Sequence, residues 1–318
     1  MRGLWHSGRG AVFEEKRSKS IIHPFVIKNY NGLTINPYQG CSHRCGYCYA
    51  TYEWSPEFYD KIYVKSNAPQ VLEKELANWN KSDNIIPVMV SSATDPYQPA
   101  ELRFQLTRRC TQVLQKYGVP YYVFTKSTLI ERDLELHRRY RHNCFLVWSV
   151  TTCSEKKRRL IEPGTAPTSR IFETIKKFSD EGVCCGVNID PIIPLVTDTE
   201  DEMNGLVGAC REAGARHVFG ALLRLRADIW ERMKLVLRLL DISNGIERYR
   251  QIYRFEEPLA SSYVTAKSSY LNKVICKLES IIHYNGIKCD FPDYLGPRRI
   301  DRSTLGQTTL NRFLGSAS

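Results

Sequence analysis

Residues 101–151 read ELRFQLTRRC TQVLQKYGVP YYVFTKSTLI ERDLELHRRY RHNCFLVWSV T. The stretch predicts a helix over Glu101–Tyr117, a strand over Tyr121–Thr125, a helix over Glu131–Tyr140 and a strand over Phe145–Thr151. Gly118 stands where the first helix must stop, three residues before the strand, as a helix C-terminus prefers. Both strands are apolar almost throughout rather than alternating, so both faces of their sheet are expected to be covered. Strands joined by helices in this way belong to a parallel sheet with right-handed crossovers.

The same grammar extends in both directions. Strands are predicted at Leu33–Asn36, Val88–Thr94, Cys185–Asp190 and His217–Leu222, with helices at Pro69–Trp79, Ser169–Asp180 and Thr199–Ala213. Gly182 and Gly214 repeat the punctuation of Gly118. Six strands with intervening helices predict an α/β protein built as an open or partial (β/α)6 barrel; a doubly wound sheet is the alternative. After Leu225 only helices are expected, at about 228–241 and 264–284. Residues 296–318, rich in Arg, Ser, Thr and Gly, read as an exposed tail. The expected organisation is a basic segment over 1–29, a core over 30–225, a helical extension over 226–295 and the tail.

Composition narrows the function classes. The 318 residues are 42% hydrophobic and 25% charged, which excludes collagen-like, disordered and disulfide-scaffold proteins. No apolar run approaches the roughly 18 residues of a membrane span. The first 30 residues lack a continuous apolar stretch and carry Glu14 and Glu15, so export is not expected and a cytoplasmic location is. The net charge of +11 is densest at the start, where residues 1–29 hold six Lys or Arg against two Glu. Nucleic acid is a natural partner for such a chain; a merely solvated basic face is the alternative.

Eleven cysteines, an odd number, argue for metal or catalytic use rather than disulfides. Three of them crowd one loop, Asn36-Pro-Tyr-Gln-Gly-Cys41-Ser-His-Arg-Cys45-Gly-Tyr-Cys48-Tyr-Ala. Three thiolates at C-x3-C-x2-C spacing suit three corners of an iron–sulfur cube and leave one iron open to a small molecule, unlike the four-cysteine runs of ferredoxins. Zinc, with His43 or a distant cysteine as fourth ligand, is the alternative. The loop follows the first predicted strand, at the end of a parallel barrel where active sites are built.

At these residues the chain resembles the radical S-adenosylmethionine (SAM) superfamily, whose signature has this spacing with an aromatic, here Tyr47, before the last cysteine. Asn36-Pro-Tyr-Gln-Gly-Cys41, Thr94-Asp-Pro-Tyr-Gln-Pro-Ala-Glu101, Thr125-Lys126-Ser127, Ser149-Val-Thr-Thr152, Glu162-Pro163 and Pro191-Ile-Ile-Pro194 resemble the branch that contains spore photoproduct lyase and its DNA repair photolyase relatives. The resemblance implies a [4Fe–4S] cluster on Cys41, Cys45 and Cys48 and SAM chelated by its open iron. It also implies reductive cleavage to a 5′-deoxyadenosyl radical and an electron donor such as flavodoxin or ferredoxin. By the same resemblance Tyr47 packs near the adenine, Thr94 meets the SAM amino group, Lys126 pairs with the carboxylate, Ser149 meets the ribose, and Arg170 is a further carboxylate candidate.

One position departs from the branch. Spore photoproduct lyase has a hydrogen-donating cysteine where this chain has Ser92, whose O–H bond is too strong for the same work. Cys153 is a substitute candidate. The tail ends Gly306-Gln307-Thr-Thr-Leu310-Asn-Arg-Phe313-Leu314, which resembles the peptide by which replication and repair proteins bind sliding clamps. Leu310, Phe313 and Leu314 would share one face of a helical turn, with Gln307 beside them. The expected function is therefore radical SAM chemistry on nucleic acid, of a DNA-repair or lyase kind. The alternatives are radical modification of a protein, tRNA or metabolite, and a zinc-stabilised nucleic-acid-binding protein without catalysis.

Overall fold

The computed structural model describes residues 10–27, 30–51, 57–78, 86–259 and 262–292. The strands are β1 (Val12–Lys16), β2 (Ile22–Ile27), β3 (Tyr30–Ile35), β4 (Tyr38–Gln39), β5 (Lys61–Lys65), β6 (Val88–Val90), β7 (Tyr121–Thr125), β8 (Cys144–Ser149), β9 (Cys185–Ile192) and β10 (His217–Leu222). The helices are α1 (Ala68–Ala77), α2 (Ala100–Phe104), α3 (Leu106–Lys116), α4 (Leu134–Arg139), α5 (Glu155–Ile161), α6 (Thr168–Asp180), α7 (Glu200–Glu212), α8 (Ala227–Leu239), α9 (Gly245–Tyr253) and α10 (Ser268–Tyr284).

The main sheet runs β10-β9-β8-β7-β6-β3-β2. β2 is antiparallel to β3, and every other neighbouring pair is parallel. The six parallel strands follow chain order from one side to the other, so every crossover steps the same way. A doubly wound sheet would reverse at a switch point; the alternative is therefore set aside in favour of a partial (β/α)6 barrel. A smaller sheet, β1-β5-β4, stands beside it.

Alternate side chains of the parallel strands go to two apolar layers. Tyr121, Val123, Leu146 and Trp148 join the main core with Leu114, Ile130 and Phe178 of the helical side. On the opposite, inner face Tyr122, Phe145 and Val147 pack with Phe124, Phe219 and Phe291. Phe291 comes from the segment after α10, whose Lys288 bridges to His217 at the start of β10, so it closes the amino end of the barrel. The carboxyl end stays open.

Several boundaries differ from the sequence reading, each for a local reason. The expected strand Val88–Thr94 ends at Val90, because Ser91 turns to φ 65° while its N–H donates to the Ile35 carbonyl (2.7 Å). The expected helix Glu101–Tyr117 is broken at Gln105, which is left-handed (φ 49°). The Glu101 carboxylate accepts from the N–H groups of Thr107 (2.9 Å) and Arg108 (3.1 Å), capping α3 from inside the break. The helix expected at Glu131–Tyr140 begins as a 3₁₀ turn over Leu129–Asp133. α5 and α9 were not expected, and residues 10–27 of the basic segment contribute β1 and β2. Gly118, Gly182 and Gly214 all have positive φ, as their helix-ending role requires.

Candidate active site at the mouth of the barrel

The cysteine loop leaves the end of β4 at the open mouth. Gly40 (φ +87°) makes the entry turn, where a Cβ would lie 2.5 Å from the Lys61 carbonyl oxygen. Backbone groups then tie the loop on every side. Cys41 N–H donates to the Phe58 carbonyl (3.0 Å), Gly46 N–H to that of Ile161 (2.8 Å), and the Tyr59 hydroxyl to that of Cys45 (2.6 Å). Gln98 donates to the Gly40 carbonyl (2.9 Å) and accepts from Ser42 N–H (3.2 Å). From α8, Arg232 donates to the carbonyls of Gly46 (2.7 Å) and Cys48 (3.1 Å). The C-terminal helices thus help to build the site.

Gly164 completes the cradle. Its N–H donates to the His43 carbonyl (3.0 Å), and a Cβ there would sit 2.6 Å from the Ser42 carbonyl oxygen and 2.8 Å from His43 Cα. Both obstacles are backbone, so Gly164→Ala must push the loop outward. We expect a loss of about 1–3 kcal/mol of stability, typical of overpacking, with a lowered iron content after reconstitution. An alanine variant with normal iron loading and melting temperature would contradict this.

Cys41 and Cys45 are buried and Cys48 is half-buried. Burial raises all three thiols, that of Cys41 to about 12 and that of Cys45 well above its ordinary value; neighbouring cysteines add to the rise at Cys41 and Cys45, whereas backbone N–H groups and the charges of Arg232 and Lys126 oppose it at Cys48. Three soft sulfur donors on one short loop suit an iron–sulfur cluster, whose binding would displace their protons. Among the described residues no three His, Cys, Asp or Glu side chains are already gathered as a metal site, so the thiols would converge as the cluster binds. His43, the zinc alternative's fourth ligand, is turned elsewhere: its Nδ1 lies 3.3 Å from Asp95. Asp95 also accepts from Thr125 Oγ1 (2.8 Å), Lys126 N–H (2.6 Å) and Tyr97 N–H (2.8 Å). Burial opposes its charge, but His43 and these donors hold its pKa below the usual value.

A second buried carboxylate, Glu162, gathers three of its neighbours. Lys126 Nζ lies 3.0 Å from it, Thr151 Oγ1 donates at 2.9 Å, and the Tyr47 hydroxyl also donates to it. The Lys126 ammonium further donates to the Ser149 carbonyl (3.2 Å) and stands 5.4 Å from the centre of the Tyr47 ring. Burial works against that charge, yet Glu162 keeps the lysine's pKa above its ordinary value. Tyr47, Lys126 and Ser149, singled out from sequence, are therefore one contact group. Thr94 lies in the turn after β6, and its buried Oγ1 has no hydrogen-bond partner. A bound polar ligand would satisfy such an orphaned hydroxyl.

Other expected residues are placed apart from this group. Arg170 pairs with Glu173 on the outside of α6 and is 54% exposed. Cys153 is exposed; burial of its surroundings and the charge of Glu202 on α7 raise its thiol to about 11. Ser92 is engaged through its hydroxyl by Asn36 (3.3 Å). Gln307, Leu310, Phe313 and Leu314 lie outside the described residues. Glu162 stands in a recognisable motif that assigns it no role, and the sequence alone does not single out Asp95, Arg232 or Asp190. The signal for Glu162 was present, a lone acid followed by Pro163 and Gly164.

A partial (β/α)6 barrel with a three-cysteine loop at its carboxyl mouth defines a cluster-dependent radical enzyme. Residues 35–207 match the Radical SAM superfamily, and the chain belongs to it. An uncharacterized protein of Mycobacterium tuberculosis (strain ATCC 25618 / H37Rv) is 31% identical over 271 residues, covering 80% of this chain and 77% of its own. An uncharacterized protein of Methanocaldococcus jannaschii is 27% identical over 188 residues, 58% of this chain and 69% of its own. Spore photoproduct lyase with AdoMet and a dinucleoside spore photoproduct bound shares the fold. Its TM-score is 0.65 at 14% identity, covering 88% of this chain and 82% of that one. A radical SAM methyltransferase from Sphaerobacter thermophilus has a TM-score of 0.53 at 12% identity, over 84% of this chain and 67% of that one.

Membership makes the protein an enzyme that uses a [4Fe–4S] cluster and SAM, with a reductant of the flavodoxin or ferredoxin kind. The zinc alternative gives way to it. Among the described residues no helix is long and apolar enough to cross a membrane.

Proposed function

We propose that the chain is a nucleic-acid-directed radical SAM enzyme of the cytoplasm, with DNA repair or a lyase-like rearrangement as its chemistry. Residues 30–225 would form the core and 226–295 the helical extension. The observation that supports it most is the site itself. Cys41 and Cys45, buried, and Cys48, half-buried, share one loop whose Tyr47 is joined through Glu162 to Lys126, which in turn donates to the Ser149 carbonyl. Cys41, Cys45 and Cys48 would hold the cluster; Tyr47, Thr94, Lys126 and Ser149 would hold SAM. Bound there, cluster and SAM supply reductive cleavage of a sulfonium and so a hydrogen-abstracting carbon radical. The chain's own work is to orient and to shield. Glu162 keeps Lys126 charged and Tyr47 in place, and Thr94 offers an unused hydroxyl. The net charge of +11 supports a polyanionic substrate.

Deuterium tracing tests the substrate class. The anaerobically reconstituted enzyme, given reductant and SAM, should move deuterium from perdeuterated oligonucleotides into 5′-deoxyadenosine. SAM cleavage with no transfer from DNA or RNA strands would overturn the nucleic-acid reading and favour a protein or metabolite.

Two more outcomes are expected. Thr94→Val removes an unsatisfied hydroxyl at constant shape, so stability should hold or rise. SAM affinity should fall by about 0.5–1.5 kcal/mol, roughly two- to tenfold, measured by calorimetry on the cluster-loaded protein. Unchanged affinity would remove Thr94 from the SAM site. For the Gln307–Leu314 segment, a synthetic Arg302–Ser318 peptide should bind the host's sliding clamp, and Leu310→Ala with Phe313→Ala should abolish binding, since such anchors dominate small interfaces. No binding near roughly 1 mM, about −4 kcal/mol, would end the clamp proposal.

A further inference from the structure

The inner face of the barrel is divided. On the β7–β8 side its upper row is Lys126, which is bonded to Glu162 and stands over the Tyr47 ring, and Ser149, whose carbonyl accepts from Lys126. On the β9–β10 side the row has different neighbours. Gly186, at the start of β9, faces inward: a Cβ there would meet the Phe145 ring at 2.5 Å. By strand alternation Asn188 and Asp190 project on the same face. Asn188 is half-buried and Asp190 and Ala221 are exposed, and the half-buried Phe219 of β10 belongs to the inner aromatic layer. The Phe124 and Phe219 rings meet edge to face at 6.2 Å. This side of the mouth thus carries solvent-reaching polar residues near half-buried aromatic rings.

Asp190 is the acid among them. Protein surrounds it closely enough for burial to raise its pKa, while the positive charges of Lys126 and Arg224 act on it from two sides and oppose the rise. The residue nonetheless reaches solvent, and the neighbouring Asn188 side chain hydrogen-bonds its carboxylate, which leaves the other acceptor positions of the carboxylate open. Among the described residues it has no ion pair within 4.0 Å, whereas Glu162 and Asp95 are spoken for by several donors each. An accessible carboxylate with acceptor capacity to spare, near aromatic rings, is a recognition group for a ring that carries N–H donors.

Arg224 stands at the rim, two residues past β10, and is exposed. Its guanidinium lies 4.9 Å from the centre of the Tyr263 ring. Tyr263 is itself held by Arg226, which donates to its hydroxyl (3.0 Å) and lies 4.9 Å from the ring centre. Arg226 is anchored in turn by Asp228 (2.7 Å). Arg224 is thus an exposed guanidinium beside an aromatic ring that is itself held in place. Guanidinium planes of this kind stack on bases.

We infer that the β9–β10 side of the mouth is a nucleobase pocket, in which Arg224 stacks on an unpaired base and Asp190 accepts a hydrogen bond from its N–H edge. The inference rests on the nucleic-acid reading above and gives it a specific contact. It also separates labour across the mouth, with cluster and SAM residues toward β3–β8 and substrate residues toward β9–β10. An enzyme that works on a base must take it out of the stack, and a site of this composition receives one.

The test uses the full chain and two fluorescein-labelled single-stranded DNA 12-mers, one of mixed sequence and one abasic throughout, read by anisotropy. The parent should bind the base-bearing strand about tenfold or more tighter than the abasic one, in line with stacking energies. Arg224→Lys keeps the charge but loses the plane, so it should erase most of that preference and leave abasic binding nearly unchanged. Asp190→Asn should weaken the base-bearing strand several-fold. An acid that merely repels phosphates would behave oppositely, and Asp190→Asn would then tighten both strands. Tightening, or full retention of the base preference in both variants, would overturn the inference while leaving the nucleic-acid reading intact. Failure of the parent to bind either strand would overturn both. Circular dichroism of each variant should match the parent.

Discussion

Replacing any one of Cys41, Cys45 or Cys48 by alanine should abolish reductive SAM cleavage, with loss of at least about three orders of magnitude in rate and most of the bound iron. Three thiolates leave no spare ligand, and an incomplete ligand set does not retain a cube through purification. The fold should survive, because the loop is held by backbone and side-chain hydrogen bonds that no thiol makes. These include Cys41 N–H to Phe58, Tyr59 to Cys45 and Arg232 to Gly46. Far-UV circular dichroism and the melting transition of the apoprotein should stay close to those of parent apoprotein. A variant that cleaves SAM at the parent rate would place the cluster elsewhere.

Glu162→Ala should be the most destabilising single change at the mouth. The Glu162 side chain is 4% exposed and that of Lys126 12%, so removal of Glu162 strands a buried cation together with the Tyr47 and Thr151 hydroxyls. Breaking a buried pair by removing one partner costs about 3–5 kcal/mol. Removing both charges should cost less than removing one, and Lys126→Met with Glu162→Met should recover a measurable part in urea titration. Equal stability of the single and double variants would mean that the pair does not govern this region. SAM binding should be lost in both, since the lysine is either displaced or absent.

Much of this architecture was legible in local sequence. The strand–helix alternation over 101–151 and the glycines at 118, 182 and 214 carry the order of the parallel sheet, because each is a local signal that the chain obeys. The cysteine spacing was local as well. Other elements owe their conformation to partners far along the chain. β1, with two glutamates and a lysine among its five residues, pairs with β5 some 49 positions away, and nothing in its own pattern requires a strand. The break at Gln105 exists because Glu101 folds back as a cap and is shared with Tyr38 and Arg132.

The site shows the same division. Tyr47, Lys126 and Ser149 were nameable because their motifs resemble a family. Their hub is 115 residues from Tyr47, and Arg232 reaches the loop from 184 residues beyond Cys48. Arg170 shows the converse: it stands at the start of an expected helix, but its side chain finds Glu173 one turn on rather than the mouth. Residue type and spacing indicate which groups are available. Tertiary packing decides which of them converge.

The most direct measurement is metal and turnover on one preparation. Full-length protein, purified anaerobically and reduced, should contain about four irons with equal sulfide and no stoichiometric zinc. Its electron paramagnetic resonance signal should change when SAM is added, and 5′-deoxyadenosine and methionine should appear together. Stoichiometric zinc without iron, or a full cluster whose signal ignores SAM and whose reduction yields no 5′-deoxyadenosine, would contradict the account.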